Sequence, residues 1–252
     1  MKMKKKFLHL WVLLLAAVLF CSACAPSVPA LEPKGDDFAD SQSGTVFRLA
    51  PRCYQPVSVT DEVRSRIPHK KGDDLLLYAV EGMEPSQWLA STERDLFYAV
   101  DKVSLPALWD MQVQRVTVNH IQNPGVILAQ PTAEETAELI RIYREAASFP
   151  SESYFPTVAE SYEVHFFGGG DFAGLEYRLL YLHYTSEVTL TEPIADAENF
   201  EPAYPGVKVT TQVYDGELFA VYHFGTEILY NEATGTCCMA GEVLQSLWKK
   251  AS

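Results

Sequence analysis

Residues 162–184 read YEVHFF-GGGDFAG-LEYRLLYLHY. The first six residues alternate polar and apolar and are rich in strand-forming types. Four turn-forming residues follow at 168–171, and the ten residues 175–184 are apolar on both faces. Strand-forming runs around a glycine cluster predict a hairpin, and a strand apolar on both faces is expected in the middle of a sheet. With a four-residue loop, Phe167 faces Phe172, and Glu163 then falls directly opposite Glu176 with Cβ atoms about 5 Å apart. Two carboxylates at that spacing can divide acid and nucleophile roles in glycoside hydrolysis, mutual repulsion raising one pKa. The plainer reading sets Arg178, diagonal to Glu163, as a neutralising partner on an exposed face, and it predicts that Glu163→Gln and Glu176→Gln are silent.

Working outward, the pattern stays β-rich. TVFRL (45–49), PVSVT (56–60) and DDLLLYAV (73–80) read as strands, and WLAST (88–92) with DLFYAV (95–100) reads as a hairpin. A second hairpin is predicted from QRVTVNHI (114–121), a turn at Asn123-Pro124-Gly125, and VILA (126–129). The one clear mid-chain helix is 132–147, where Thr132 and Glu135 have capping-box spacing and Thr136, Leu139, Ile140, Tyr143 and Ala147 share a face. A proline-rich acidic stretch (186–206) precedes VKVTTQVY (207–214), an Asp215-Gly216 turn, ELFAVYHF (217–224), EILYN (227–231), TCCM (236–239) and a short amphipathic C-terminal helix (241–250). The fold class expected is α+β, with largely antiparallel sheets and helices on one face.

The chain begins MKMKKKFLHLWVLLLAAVLFCSACAP. Lys2, Lys4, Lys5 and Lys6 precede an apolar run from Phe7 to Phe20, the order of a secretory signal. That run is short against the roughly 20 residues of a membrane-spanning helix. Ser22-Ala23-Cys24 resembles the lipobox of bacterial lipoproteins, departing from it in having Cys21 where leucine is usual. The resemblance implies diacylation of Cys24 as the lipid attachment residue and a place at the extracytoplasmic face of the cell membrane. A simple secretory cut after Ala25 is the competing reading, and Pro26 opposes it. The expected organisation is a signal peptide at 1–23, a flexible tether at 24–44 and a single globular domain at 45–252, with two sheet blocks meeting near residue 150 as the alternative.

The formal net charge is −13, and loss of the four signal lysines takes it to −17. That excess repels nucleic acid, so none is expected as a partner. A 48% hydrophobic and 12% aromatic composition is that of a chain with a substantial core. Cys53, Cys237 and Cys238 read as buried apolar residues, with a disulfide from Cys53 to one of the pair as the alternative. Alternation along TCCM sends Cys237 and Cys238 to opposite faces, which predicts one buried and the other accessible or bonded.

No catalytic, cofactor or metal set emerges. GGGDFAG (168–174) matches a dinucleotide fingerprint only in its glycines, and the HGGG loop of lipases only loosely, since two phenylalanines follow His165. His69, His120, His165, His183 and His223 have no ligand spacing, and DAENFE (196–201) lacks the glycine and closing glutamate of a calcium loop. Aromatics in 175–184 and 217–224 are expected mainly in the core, with a sugar-binding platform as the alternative. The expectation is therefore a lipid-anchored binding or interaction module with an envelope protein or glycan as partner. An envelope glycan or peptide hydrolase and a metal-binding lipoprotein stand behind it.

Overall fold

The computed structural model describes residues 28–240 except 93–95, 147, 151–157, 185–187, 205–206 and 226. Among them, strands numbered in chain order fall into three antiparallel sheets, with one α-helix. Cys24, the expected signal segment and the expected helix at 241–250 lie outside the described residues.

The hairpin at 162–184 is the centre of the largest sheet. β12 (Val158–Phe167) and β13 (Leu175–Tyr184) pair along their length. β9 (Arg115–His120) and β10 (Asn123–Ala129) extend the sheet on the β12 side. β17 (Glu227–Asn231), β18 (Thr236–Met239) and β11 (Phe149–Pro150) extend it on the other. β13 is central, as its two apolar faces required. The turn expected at 123–125 is instead part of β10, and the chain reverses at Ile121-Gln122. Pro124 lacks an N–H, and it is accommodated because β10 is an edge strand with irregular register.

A second sheet runs β1 (Leu31–Lys34), β2 (Asp37–Asp40), β3 (Val46–Leu49), β8 (Leu96–Val100), β7 (Trp88–Ser91), β6 (Leu75–Val80), β5 (Val59–Ile67). A parallel bridge between Ala30 and Arg66 and a hydrogen bond from the Arg66 N–H to the Pro29 carbonyl (3.0 Å) join its two edges. The sheet therefore curls into a small barrel around Leu31, Phe47, Leu75, Leu77, Leu89 and Tyr98. Strand alternation decides what lies outside: Leu89 and Tyr98 point in, while Trp88, Ala90, Phe97 and Ala99 point out and pack on the central sheet.

This corrects the tether expected at 24–44. Its described part, 28–44, contributes two barrel strands, and Leu31 is fully buried. Pro33, Asp37 and Asp40 are poor strand formers, yet pairing with β3 and closure against β5 supply what propensity does not. PVSVT also divides: Pro56 belongs to β4 (Tyr54–Pro56), which pairs with β13, while Val59 and Thr60 open β5 in the barrel.

A third sheet, β14 (Val188–Pro193), β16 (Glu217–Phe224) and β15 (Lys208–Tyr214), covers part of the other face of the central sheet. Ala220, Tyr222 and Phe224 meet Tyr184, Ile228 and Cys237 there. The stretch 186–206 thus holds a strand that its acidic and proline residues concealed. Helix α1 (Ala133–Glu145) starts on the expected capping box: the Glu135 N–H donates to Thr132 Oγ1 (3.2 Å) and the Thr132 N–H to Glu135 Oε2 (2.9 Å). Leu139, Ile140 and Tyr143 carry it onto the first face of the central sheet, beside the barrel.

Cys237 and Cys238 point to opposite faces as alternation requires, but both are buried, which overturns the expectation of one accessible thiol. The cause is that β18 is covered on both sides: Cys238 belongs to the core under α1 and the barrel, and Cys237 to the core under the third sheet. Cys53 is also buried, and all three cysteines are free thiols.

Candidate functional site

Glu163, His165 and Phe167 on β12 share a face with Glu176, Arg178 and Leu180 on β13. The observed register sets Phe167 opposite Glu176, His165 opposite Arg178 and Glu163 opposite Leu180. This corrects the expected Glu163–Glu176 pair. The Gly168 N–H donates to the Leu175 carbonyl (2.9 Å) and Gly170–Phe172 form a 3₁₀ turn, so the connection is longer than four residues and the register moves by four. The two glutamates remain on one face with an imidazole between them.

His165 Nδ1 lies 2.8 Å from Glu176 Oε1 and Nε2 lies 3.2 Å from Glu163 Oε2. Arg178 Nε also donates to Glu176 Oε1. Each ring nitrogen thus meets a carboxyl group, and which of them donates is set by the tautomer. The side chains of His165 and Glu176 are 7% exposed, Glu163 22% and Arg178 38%. Burial acts to raise the Glu176 carboxyl, but the His165 hydrogen bond and the Arg178 charge outweigh it and hold the group below the ordinary carboxylate range. Glu176 is therefore a buried anion that positions His165 and Arg178, which corrects the exposed face of the plainer reading.

Beside this ladder the sheet is split. β4 pairs with Leu175–Tyr177 and β17 with Leu180–His183, so the two strands diverge along the same edge of β13. The Arg178 N–H donates to the Cys53 carbonyl (2.7 Å) at the point of divergence. A cleft of about 340 Å³ opens there, between the central sheet and the barrel strands β3 and β8. Arg52, Arg178, Glu163 and Glu232 line it together with Leu49, Leu96, Leu180 and Tyr54. The Tyr54 hydroxyl is fixed by donation to the Pro106 carbonyl (2.6 Å). Glu163 bonds His165 through Oε2 and Arg178 bonds Glu176 through Nε, which among the described residues leaves Glu163 Oε1 and the two Arg178 Nη groups for the cleft.

The ladder is poorly suited to hydrolysis. Among the described residues His165 bonds two carboxylates and no serine, threonine or cysteine, so the paired nucleophile and base of acyl transfer are not assembled on it. Glu176 is too enclosed to flank a glycosidic bond with Glu163. The carboxylates meet opposite edges of the imidazole and do not converge on one point, and among the described residues no group of three or more His, Cys, Asp or Glu is disposed to hold a metal.

The other sequence candidates are dispersed. The three glycines at 168–170 serve close packing: a Cβ on Gly169 would stand 2.7 Å from the Gln112 carbonyl oxygen, and Gly170 has φ +57°. The Gly168 and Gly169 N–H groups donate to Leu175 and Met111 carbonyls, so they are not presented to a phosphate or an oxyanion. His120 accepts from the Gln122 N–H, His183 faces Glu227, and His223 meets Thr210 Oγ1, three different partners on three different strands. In 196–201, Asp196 spends its carboxylate on Asn199 and the Glu198 N–H. Tyr177, Tyr181, Tyr184, Tyr222 and Phe224 are buried and form no platform. Burial pushes the Cys237 and Cys238 thiols up to about 12, which suits packing rather than nucleophilic roles.

Sequence reasoning named Glu163, Glu176 and Arg178 but missed His165 as their link. The i, i+2 spacing of Glu163 and His165 on a strand was the available signal. Arg52 and Glu232 reach the cleft from a loop and a turn, and no local pattern marks them. Comparison with protein-family models, curated proteins and solved structures returned no match.

Proposed function

We propose that this chain is a lipid-anchored module at the extracytoplasmic face of the cell membrane, tethered through Cys24, that binds an envelope ligand in the cleft at the split edge of β13. The observation that carries the binding reading is the placement of Arg178 and Glu163: both reach the cleft while the buried Glu176 and His165 fix their positions. Side chains held in place before a ligand arrives lose less freedom on binding, the usual advantage of a preorganised site. The basic, apolar and small-residue order of residues 1–24 supports the anchor. Two acyl chains hold a protein on a bilayer durably, at about 0.8 kcal/mol per buried methylene, where a single chain does not.

Two measurements test the reading. Cells expressing the chain and its Cys24→Ala variant are fed a fatty-acid analogue, and label is expected in the first only; equal labelling of both rejects the anchor. Purified full chain in detergent is then heated with soluble fragments of cell-wall glycan and peptide. A ligand that binds the folded state raises the unfolding temperature. The rise is expected to disappear in Arg178→Gln. Conversion of the fragments into smaller products would replace the binding reading with that of a hydrolase.

A further inference from the structure

The four charged groups of the cleft fall into two of each sign, and they do not satisfy one another. Among the described residues, no ion pair within 4.0 Å joins Arg52 or Arg178 to Glu163 or Glu232. Among the described residues their ion-pair partners are inside the ladder, where Glu163 meets His165 and Arg178 meets Glu176. Arg52 and Glu232 are exposed at the rim and make no side-chain bond among the described residues.

A cleft whose cations and anions do not pair with one another is matched by a ligand that carries both charges. We propose that it binds a short zwitterionic peptide, with the C-terminal carboxylate on Arg178 and Arg52 and the free ammonium on Glu163 and Glu232. The guanidinium fork fits a carboxylate through two parallel hydrogen bonds, and the two Nη groups of Arg178 are the part of that fork left over by Glu176. The ammonium needs acceptors only, and Glu163 Oε1 and the Glu232 carboxylate supply them. Leu49, Leu96, Leu180 and the Tyr54 ring give the apolar side chains of such a peptide a wall. A volume of about 340 Å³ is at the small end of ligand sites, suited to a short segment rather than to a folded partner. A dianionic ligand is disfavoured because two carboxylates stand within the same cleft.

This inference rests on the cleft being the binding site of the previous section. The test uses the full chain in detergent and titration calorimetry with trialanine, whose side chains add no charge. Free trialanine is expected to bind at least tenfold more tightly than either N-acetylated or C-amidated trialanine. Arg52→Gln should reduce the preference for a free carboxylate, and Glu232→Gln the preference for a free ammonium. Neither side chain makes a bond among the described residues, and circular dichroism of both variants should match the parent. Capped and free peptides binding alike would overturn the inference, as would inorganic phosphate binding as well as trialanine. If trialanine fails while cell-wall fragments still bind in an Arg178-dependent way, the ligand class is wrong and the binding module stands. If neither binds, both fall.

Discussion

Glu176 shows how a single side chain changes meaning when its surroundings are counted. Alternation placed it on the same face as Glu163, and that much was legible. Its register was not, because three glycines conceal how many residues a loop consumes. Its burial depends on strands far away in sequence. The structure makes it the buried anion that holds His165 and Arg178, so Glu176→Gln should cost ~2–4 kcal/mol in urea unfolding, since it leaves the Arg178 guanidinium without its charged acceptor and alters the His165 bond. The sign of its pH dependence follows from the direction of its shift. The folded carboxyl lies below the unfolded one, so its contribution is complete above the ordinary glutamate value of about 4.3 and is lost as pH falls below that toward the folded value. Stability measured from pH 7 to pH 3 should fall less steeply in Glu176→Gln than in the parent. Equal slopes would mean that the buried ladder does not hold this carboxylate in its charged form.

Among elements, the loop joining β12 to β13 is where sequence patterns were most misleading. Its glycines matched two functional fingerprints, yet what they provide is room. Gly169 lies against the Gln112 carbonyl and the Gln114 side chain, so any Cβ meets backbone that cannot swing away. Gly169→Ala should therefore destabilise by ~1–3 kcal/mol, the usual range for overpacking, while Gly72→Ala, with no atom within 4 Å, should be silent. Thermal unfolding of the two variants side by side checks this, and equal behaviour would show that the loop relaxes freely. The capping box of α1 and the alternating strands were readable because their signals are local. The third sheet was not: Glu192 and Pro193 argue against a strand at 188–193, but Tyr222 donates to Glu192 Oε2 (2.6 Å) and gives that charge a partner only after β16 has folded beside it.

At the scale of the whole molecule, the N-terminal barrel decides what counts as part of the domain. Residues 25–44 have the composition of a linker, and composition is all that a local reading can weigh. Closure is a long-range event: β1 reaches β5 across the ring, and its benefit appears only when Leu31 is sealed in with Leu75, Leu77 and Tyr98. Barrels of this kind have no free edge once shut, and removing two strands restores two edges at once. A chain cut to begin at Thr45 would leave β3 and β5 unpaired on their outer sides and open the interior to water. Loss of Leu31 alone should cost ~2–5 kcal/mol, by the usual toll of a large-to-small change in a core. The truncated chain should lose more, and it should bind an apolar dye that the parent excludes. The outer wall of the same barrel, through Trp88 and Phe97, packs on the central sheet and borders the cleft, so damage to the seam should also weaken any ligand held there. A truncated chain that unfolds at the parent's temperature and leaves the dye dark would return residues 28–44 to the status of a tether.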